Sequence, residues 1–332
     1  MNGLDRSFFG HPRALATLFF TEMWERFTYY GMRALLVLFL VDAVGTGGYG
    51  FDDKTAVAIY GLYTASVFAA ALPGGWIADR LIGAQRAVLA GGVLLTLGSV
   101  LLAIPGPPKL FFAGLAVIVL GIGLLKPSVS TLVASLYPEG GGRRDAGFTI
   151  FYMGINLGAF LGPLLAGGLA QHYGWRAGFL AAGIGMPFGL LQFWRARARL
   201  GESGRAPQRP DGGAGVRRDW TSLGVAGVVI LLLAALLLSG RIEVDPAALA
   251  QRAAYVLLGM AAAYFCYLFF AAGLAADEKR RVLVVLVMFV ACALFWSGFE
   301  QAGSSMNLFA KRYTDRVVGG FESASDVDER AR

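Results

Sequence analysis

Residues Thr21–Arg33, TEMWERFTYYGMR, form the stretch that decides the fold. The stretch lies inside an apolar run, residues 14–41, which is long enough to cross a bilayer as a helix. An ionisable group at membrane depth costs at least about 2.5 kcal/mol on insertion scales, so the charged groups here need partners or water. The stretch therefore predicts a helix that lines a polar cavity inside a transmembrane bundle, rather than an amphipathic helix lying on the membrane surface. At about 100° per residue, the polar face spans an arc of about 140° and consists of Glu22, Glu25, Arg26, Tyr29, Tyr30 and Arg33.

The composition indicates a membrane protein built from helices. The 332 residues are 56% hydrophobic and the mean hydropathy is +0.60, both far outside the range of a soluble domain. Several runs of about 20 apolar residues are long enough to cross a bilayer. The sequence therefore predicts an all-α polytopic membrane protein with nine spans, at about 14–41, 56–78, 86–104, 110–136, 147–170, 175–194, 220–239, 252–275 and 282–309.

The net charge of +7 is explained by where the basic residues lie. With a cytoplasmic N-terminus, most Lys and Arg fall in segments predicted to be inside, among them the seven arginines between Arg195 and Arg218. The positive-inside rule then predicts a multi-pass protein of the inner (cytoplasmic) membrane with its N-terminus in the cytoplasm. Anionic membrane lipid accounts for the basic balance, and no nucleic-acid partner is predicted.

The loop between the second and third predicted spans carries a spaced set of small and charged residues. Asp79 can accept a hydrogen bond from a helix N-terminus or an arginine, and Gly83 permits a tight turn into the third helix. This loop resembles the cytoplasmic signature of the major facilitator superfamily, which lies between the same two spans. Taken alone, the pattern is also compatible with a solvated loop end. The residues that carry it are Gly75, Asp79, Arg80, Gly83 and Arg86.

Two further polar residues interrupt apolar runs. Lys126, near the middle of the fourth span and followed by the helix-bending Pro127, is costly in a bilayer. Its alternative explanation is a side chain that snorkels to the interface. Asn156 lies among glycines in the fifth span, where it could equally hydrogen-bond a neighbouring helix.

Four motifs, in this order, resemble those of the proton-dependent oligopeptide transporters. They are Glu22-x-x-Glu25-Arg26-Phe27-x-Tyr29-Tyr30-Gly31, Lys126-Pro127, Arg143-Arg144-Asp145-Ala146-Gly147-Phe148 and Phe151-Tyr152-x-x-Ile155-Asn156-Leu157-Gly158. The resemblance covers residues 14 to about 316. It implies proton-coupled symport of di- and tripeptides, with small peptides and protons as partners, the proton as coupling ion and no cofactor.

The resemblance also implies a domain organisation. A complete transporter of this kind has two six-helix bundles with the substrate between them. The sequence is therefore expected to be a fragment or a truncated form that lacks most of the second bundle. The expected parts are an N-terminal six-helix bundle at 14–194, a basic cytoplasmic linker at 195–219, two additional helices at 220–275, the first helix of the C-terminal bundle at 282–309 and a polar tail at 310–332.

Site residues are assigned on the same basis. Arg33 and Lys126 are the expected cations for the peptide carboxylate. Hydrogen bonds to the peptide are expected from Tyr29, Tyr30 and Asn156, and pocket walls from Phe68 and Trp296, with Phe68 standing where the family usually has tyrosine. Proton coupling is assigned to Glu22 and Glu25 beside Arg26, and to Glu300, which is expected to face Lys126.

Two other functions stay open at this point. Relatives of the family carry other solutes, such as amino acids, nitrate or drug-like peptidomimetics, and the motifs do not name the solute. A non-transporting remnant or an assembly partner is also compatible with the length. An enzyme is not predicted, because the sequence has no metal-ligand cluster, no nucleophile with a base and no phosphate-cradling glycine loop.

Overall fold

The apolar runs of the sequence form long helices. A computed structural model describes residues 5–206, 214–239 and 245–314, and its described residues are helical without any strand. The all-α prediction is confirmed. The helices are α1 Arg13–Val41, α2 Asp53–Ile77, α3 Ala84–Ala103, α4 Pro108–Ser135, α5 Gly141–Tyr173, α6 Trp175–Ala196, α7 Ala214–Leu238, α8 Pro246–Phe270, α9 Ala276–Phe299 and α10 Ser305–Tyr313.

Seven helices of the described residues are long and apolar enough to span a membrane: α2, α3, α4, α5, α6, α8 and α9. The chain is therefore a multi-pass membrane protein. Helix α1 is not among the seven, because the charges of its polar face lie too close together along the helix. Helix α7 is also not among them, and part of its predicted span, 220–239, lies outside the residues whose side chains are described.

Helices α1 to α6 pack as two triplets. Helix α1 lies between α5 and α6, α4 lies between α2 and α3, and α3 against α6 joins the triplets. Small residues set the close approaches. An added Cβ at Gly158 of α5 would collide with the carbonyl oxygen of Met23 in α1, and one at Gly121 of α4 would lie 2.7 Å from the carbonyl oxygen of Gly91 in α3. The helix backbones therefore touch without intervening side chains.

Helices α8 and α9 lie outside this core. Within the described residues they contribute no buried side chain, and α8 packs against α2 while α9 packs against α8. The short α10 returns to the bundle and packs on α1. We call the end of the bundle where α1 begins and α6 finishes the basic end, and the end where α1 finishes the far end.

The ninth predicted helix, 282–309, is not continuous. Helix α9 ends at Phe299, a 3₁₀ turn covers Glu300–Gly303, and α10 begins at Ser305. The Glu300 carbonyl accepts a hydrogen bond from the Tyr60 hydroxyl at 3.2 Å, while the Ser304 amide bonds to Gln301. Gly303 also packs against the Tyr60 ring, and a side chain at this position would require the Tyr60 ring to shift. Contacts with α2 therefore end the helix, which no local sequence pattern predicts.

Candidate functional site

The polar face of α1 points into the bundle. The side chains of Glu22, Glu25, Arg26, Tyr29 and Arg33 are all buried, with Glu25 completely inaccessible to solvent. Helices α5 and α6 cover the remainder of α1, where Leu and aromatic side chains of α1 pack against glycines of α5 and α6. Helix α1 therefore directs its charged side chains into the bundle, while its apolar side chains pack it against α5 and α6.

The first charged group on this face consists of three residues of α1 that pair with one another. The Arg26 Nε atom lies 2.9 Å from Glu22 Oε1 and 2.6 Å from Glu25 Oε2. The contact to Glu22 is a hydrogen bond, whereas the one to Glu25 has the distance of an ion pair without hydrogen-bond alignment. Among the described residues, neither oxygen of Glu25 has a hydrogen-bond partner. Two buried carboxylates thus share one guanidinium.

The second charged group joins three elements. Arg33 of α1 donates from Nε to the Tyr60 hydroxyl of α2 and forms an ion pair with the Glu300 carboxylate in the 3₁₀ turn. The guanidinium carbon lies 5.3 Å from the centre of the Tyr60 ring and 5.8 Å from that of Tyr29. The turn after α9 is therefore attached to the six-helix bundle through Arg33 of α1 and Tyr60 of α2.

Glu300 does not pair with Lys126, so this expectation is wrong. Its ion-pair partner is Arg33, and the Lys126 Nζ atom lies instead 4.3 Å from the centre of the Phe68 ring. The break after Phe299 moves Glu300 off the α9 axis and towards α1 and α2. Within the described residues Lys126 makes no ion pair, so its ammonium is held by an aromatic face.

The other predicted binding residues line an open surface. Phe68 and Trp296 are about half exposed, and the Trp296 ring lies against the rings of Phe295 and Phe299 in its own helix. The Asn156 amide donates to the Tyr152 carbonyl one turn earlier in α5, at 2.9 Å, and within the described part of the chain it bonds only to its own helix. Tyr30 is partly buried beside Arg33, whose guanidinium carbon is 5.6 Å from its ring centre.

Sequence reasoning missed Tyr60 and Tyr63. Both lie on the buried face of α2, and the Tyr63 ring stacks on Tyr29 with centroids 6.4 Å apart. Tyr60 supplies the hydroxyl that bonds Arg33, whereas the Tyr63 hydroxyl is buried without a hydrogen-bond partner in the described residues. Two tyrosines three positions apart in an apolar span were the available signal, since buried phenols need partners.

The loop signature lies at the basic end. Helix α2 runs into a π-helical turn, Ala78–Ile82, and Gly83 has φ +82°, which favours glycine at the predicted tight turn. Arg80 lies 3.9 Å from Asp219 of α7, and Arg86 is exposed. A Cβ added at Gly75 would lie 3.6 Å from the Pro127 Cβ atom, an ordinary contact distance, and Asp79 forms no ion pair with any other described residue.

Helix α10 is attached to the far end by polar contacts. Lys311 Nζ lies 3.5 Å from Asp42 Oδ1, and Arg312 binds Asp53 through both carboxylate oxygens at 2.6 and 2.8 Å. Burial would raise the pKa of Asp42, but hydrogen bonds from Thr46 and Trp175, together with Lys311, outweigh it and hold the pKa below its usual 3.8. Asp42 is therefore ionised at neutral pH.

Comparison with known families and relatives places this site in a context. The family profile described as PTR2, POT family, matches residues 85–327. A peptide transporter, YePEPT, of Yersinia enterocolitica subsp. palearctica serotype O:3 (strain YE-P4) is 44% identical over 329 residues, which are 96% of this chain and 63% of the relative. A di-/tripeptide transporter of Lactococcus lactis subsp. lactis (strain IL1403) is 38% identical over 311 residues, 92% of this chain and 62% of the relative.

Solved structures agree with the sequence relatives. The crystal structure of a peptide transporter POT in complex with sulfate superposes with a TM-score of 0.84 at 41% identity, covering 96% of this chain and 65% of that one. A POT family transporter in complex with 5-aminolevulinic acid gives the same TM-score of 0.84 at 34% identity, covering 96% and 66%. The chain thus spans less than two thirds of the length of these proteins.

Proposed function

The chain belongs to the POT family, and on that premise we propose that it is part of a proton-coupled symporter of di- and tripeptides in the cytoplasmic membrane. Its named relatives are peptide or di-/tripeptide transporters. The excess of Lys and Arg at the basic end supports a cytoplasmic N-terminus. The proton is the proposed coupling ion.

One observation carries the proposal: α1 holds two charged groups on one buried face, and one of them reaches the turn that follows α9. The first charged group, Glu22 and Glu25 with Arg26, has two carboxylates and one guanidinium, so binding of a single proton would bring its net charge to zero. In the second charged group, the electrostatic attraction between Arg33 and Glu300 is lost when Glu300 is protonated. Proton binding on this face would therefore loosen the link between α1 and the chain beyond α9.

The same residues supply a site for a peptide carboxylate. Once Glu300 is neutral, the Arg33 guanidinium can form a bidentate ion pair with another carboxylate. Lys126, whose ammonium rests on the Phe68 ring, is a second cation for the same group. The order proposed is protonation of Glu300, release of Arg33 and binding of the peptide carboxylate, which couples the two ligands through one arginine.

Uptake tests the proposal. The purified chain is reconstituted in proteoliposomes, and accumulation of labelled dialanine is measured with an imposed inward proton gradient. We expect accumulation above equilibrium that stops when an uncoupler collapses the gradient. Accumulation that is indifferent to the gradient would remove the proton from the mechanism, and no binding or uptake of dialanine would overturn the peptide assignment.

A second solute class belongs in the same assay. A related POT family structure holds 5-aminolevulinic acid, which carries an amine and a carboxylate as a dipeptide does. Lys126 contacts the ring of Phe68. The family usually has a tyrosine at this position, so the proposed pocket has one hydroxyl fewer here. Competition of unlabelled 5-aminolevulinic acid against labelled dialanine measures which of the two this site prefers.

A further inference from the structure

A basic cavity lies at the basic end of the bundle, where the polar face of α1 takes no part. Its volume is about 480 Å³, within the range of small-ligand sites. It is lined by Gln85 and Arg86 at the start of α3 and by the segment that follows α6, with residues Arg197, Ala198, Gly201, Gly204, Arg205 and Ala206.

The wall of this cavity is built by defined contacts. After α6 the chain forms a 3₁₀ turn, Arg197–Leu200, whose last side chain is buried in the bundle. Gln85 then fixes the following loop with three hydrogen bonds: its side chain donates to the carbonyls of Gly201 at 3.2 Å and Ser203 at 2.7 Å, and its backbone amide donates to Gly204 at 3.0 Å. These hydrogen bonds fix the position of the loop that lines the cavity relative to the start of α3.

Among the described residues, the positive charge that lines the cavity is only partly balanced. Arg205 pairs with Glu202 at 2.7 Å, but neither Arg86 nor Arg197 makes a hydrogen bond or an ion pair with any other described residue. The cavity also faces the first turn of α3, where the helix carries partial positive charge and its N-cap, Gly83, offers no side-chain cap. Two arginines beside a helix start favour an anion, and phosphate above all.

The surroundings indicate where the phosphate comes from. Trp194 in α6 and Trp220 in α7 are about half exposed near this end of the bundle. Exposed tryptophans mark the level of the lipid headgroups, and the basic residues here lie on the predicted cytoplasmic side, where anionic lipid is found. We propose that this cavity binds the phosphate group of an anionic lipid headgroup between Arg86 and Arg197.

Native mass spectrometry of the full chain in detergent tests the proposal with three probes: dioleoylphosphatidylglycerol, dioleoylphosphatidylcholine and inorganic phosphate. We expect one phosphatidylglycerol molecule to bind at least about tenfold more tightly than phosphatidylcholine, because both lipids carry the phosphate but the choline group adds a positive charge beside the two arginines. The Arg86→Gln/Arg197→Gln variant should lose that preference. Should that variant fail to fold, Arg197→Gln alone, on the exposed turn, should weaken phosphatidylglycerol binding in the same direction.

The matched control removes the same charge next to the cavity. Arg195→Gln/Arg199→Gln changes two exposed arginines that do not line it, and phosphatidylglycerol binding should change by less than about twofold. Equal loss in both double variants would overturn the site in favour of diffuse attraction. Displacement of the lipid by millimolar inorganic phosphate would overturn the lipid source and leave a free-phosphate site.

Discussion

The guanidinium of Arg33 has partners on two other elements, and replacing one of them separates binding from coupling. In Glu300→Gln the amide cannot carry the charge that holds Arg33, so the pair no longer depends on protonation. We expect gradient-driven accumulation of dialanine to be lost, while exchange of labelled for unlabelled dialanine across the same proteoliposomes continues.

The control for this variant is Glu139→Gln, which removes an exposed carboxylate paired with Arg143 at 3.6 Å at the basic end. Both accumulation and exchange should stay at the level of the unaltered chain. Loss of exchange together with accumulation in Glu300→Gln would mean that Glu300 only braces the fold. Unchanged accumulation would remove Glu300 from proton coupling altogether.

A pair of tyrosines one turn apart on α2 permits a sharper test of the Arg33 contact. Tyr60→Phe removes the hydroxyl that accepts from Arg33 and donates to the Glu300 carbonyl at 3.2 Å. Leaving the buried arginine without that acceptor should cost about 1–3 kcal/mol. We expect a lower midpoint of thermal unfolding in detergent, measured by intrinsic fluorescence.

Tyr63→Phe is the matched control, because the Tyr63 hydroxyl is equally buried but has no hydrogen-bond partner in the described residues. Removing a polar group that is buried without a partner should leave the midpoint unchanged or raise it. A fall of equal size in both variants would mean that ring packing, and not the hydroxyl, is what matters at these positions.

At the scale of single residues, the sequence located the charges and the cluster of Glu22, Glu25 and Arg26, but not the ion pair between Arg33 and Glu300. The cost of burying Glu22, Glu25, Arg26 and Arg33 is visible in one stretch, since a helical period and an apolar background suffice to detect it. The partner of Glu300 was mispredicted because it depends on a helix break caused by α2, far away in the chain. Pairing between distant elements cannot be derived from local patterns.

Among the elements, the contact of α1 with α5 depends on glycine. Gly154, Gly158 and Gly162 recur every four residues along α5, and a Cβ at Gly158 would collide with the Met23 carbonyl oxygen, a backbone atom that cannot turn aside. Gly158→Ala should therefore destabilise the fold by about 1–3 kcal/mol, the usual cost of overpacking. The expected readout is a lower midpoint of thermal unfolding in detergent.

Gly167→Ala on the same helix is the control, because nothing lies within 4 Å of the added Cβ. Alanine is the better helix former by about 1 kcal/mol in water, so this variant should be neutral or slightly stabilising. If Gly158→Ala behaved in the same way, α1 and α5 would have to separate without cost, contrary to the close approach of their backbones.

Most element positions could be predicted, and the exceptions lie beside contacts between elements that are distant in the chain. Helix α1 was expected at 14–41 and lies at Arg13–Val41, because a long apolar run with no internal proline leaves one outcome. The π-helical turn at Ala78–Ile82 and the break after Phe299 were missed. The break after Phe299 lies where Tyr60 of α2 contacts Glu300, and the π-helical turn contains Arg80, which contacts Asp219 of α7. Hydrophobic periodicity contains no information about such contacts.

For the whole molecule, α10 is attached to the far end of the bundle by polar contacts, and we expect these contacts to influence how readily that end opens. Lys311 with Asp42 and Arg312 with Asp53 are ion pairs at a partly exposed surface. Each such pair is worth at most about 1 kcal/mol, or about a fivefold change in population. One pair alone therefore cannot hold the end closed, and the two together with the Asn307 bond to the Ala34 carbonyl form the restraint.

The restraint predicts a graded response at Ser304, which is buried next to α10. In a chain with Ser304→Cys and with Cys266 and Cys292 changed to Ser, the rate of modification by a maleimide reports opening. Arg312→Gln should raise the rate by no more than about fivefold, and Lys311→Gln/Arg312→Gln should raise it further. The charge exchange Asp53→Arg/Arg312→Asp should bring the rate back towards that of the parent. If the exchange variant reacts as fast as Arg312→Gln, the contact is not electrostatic, and α10 must be held by the packing of its one buried side chain, Leu308.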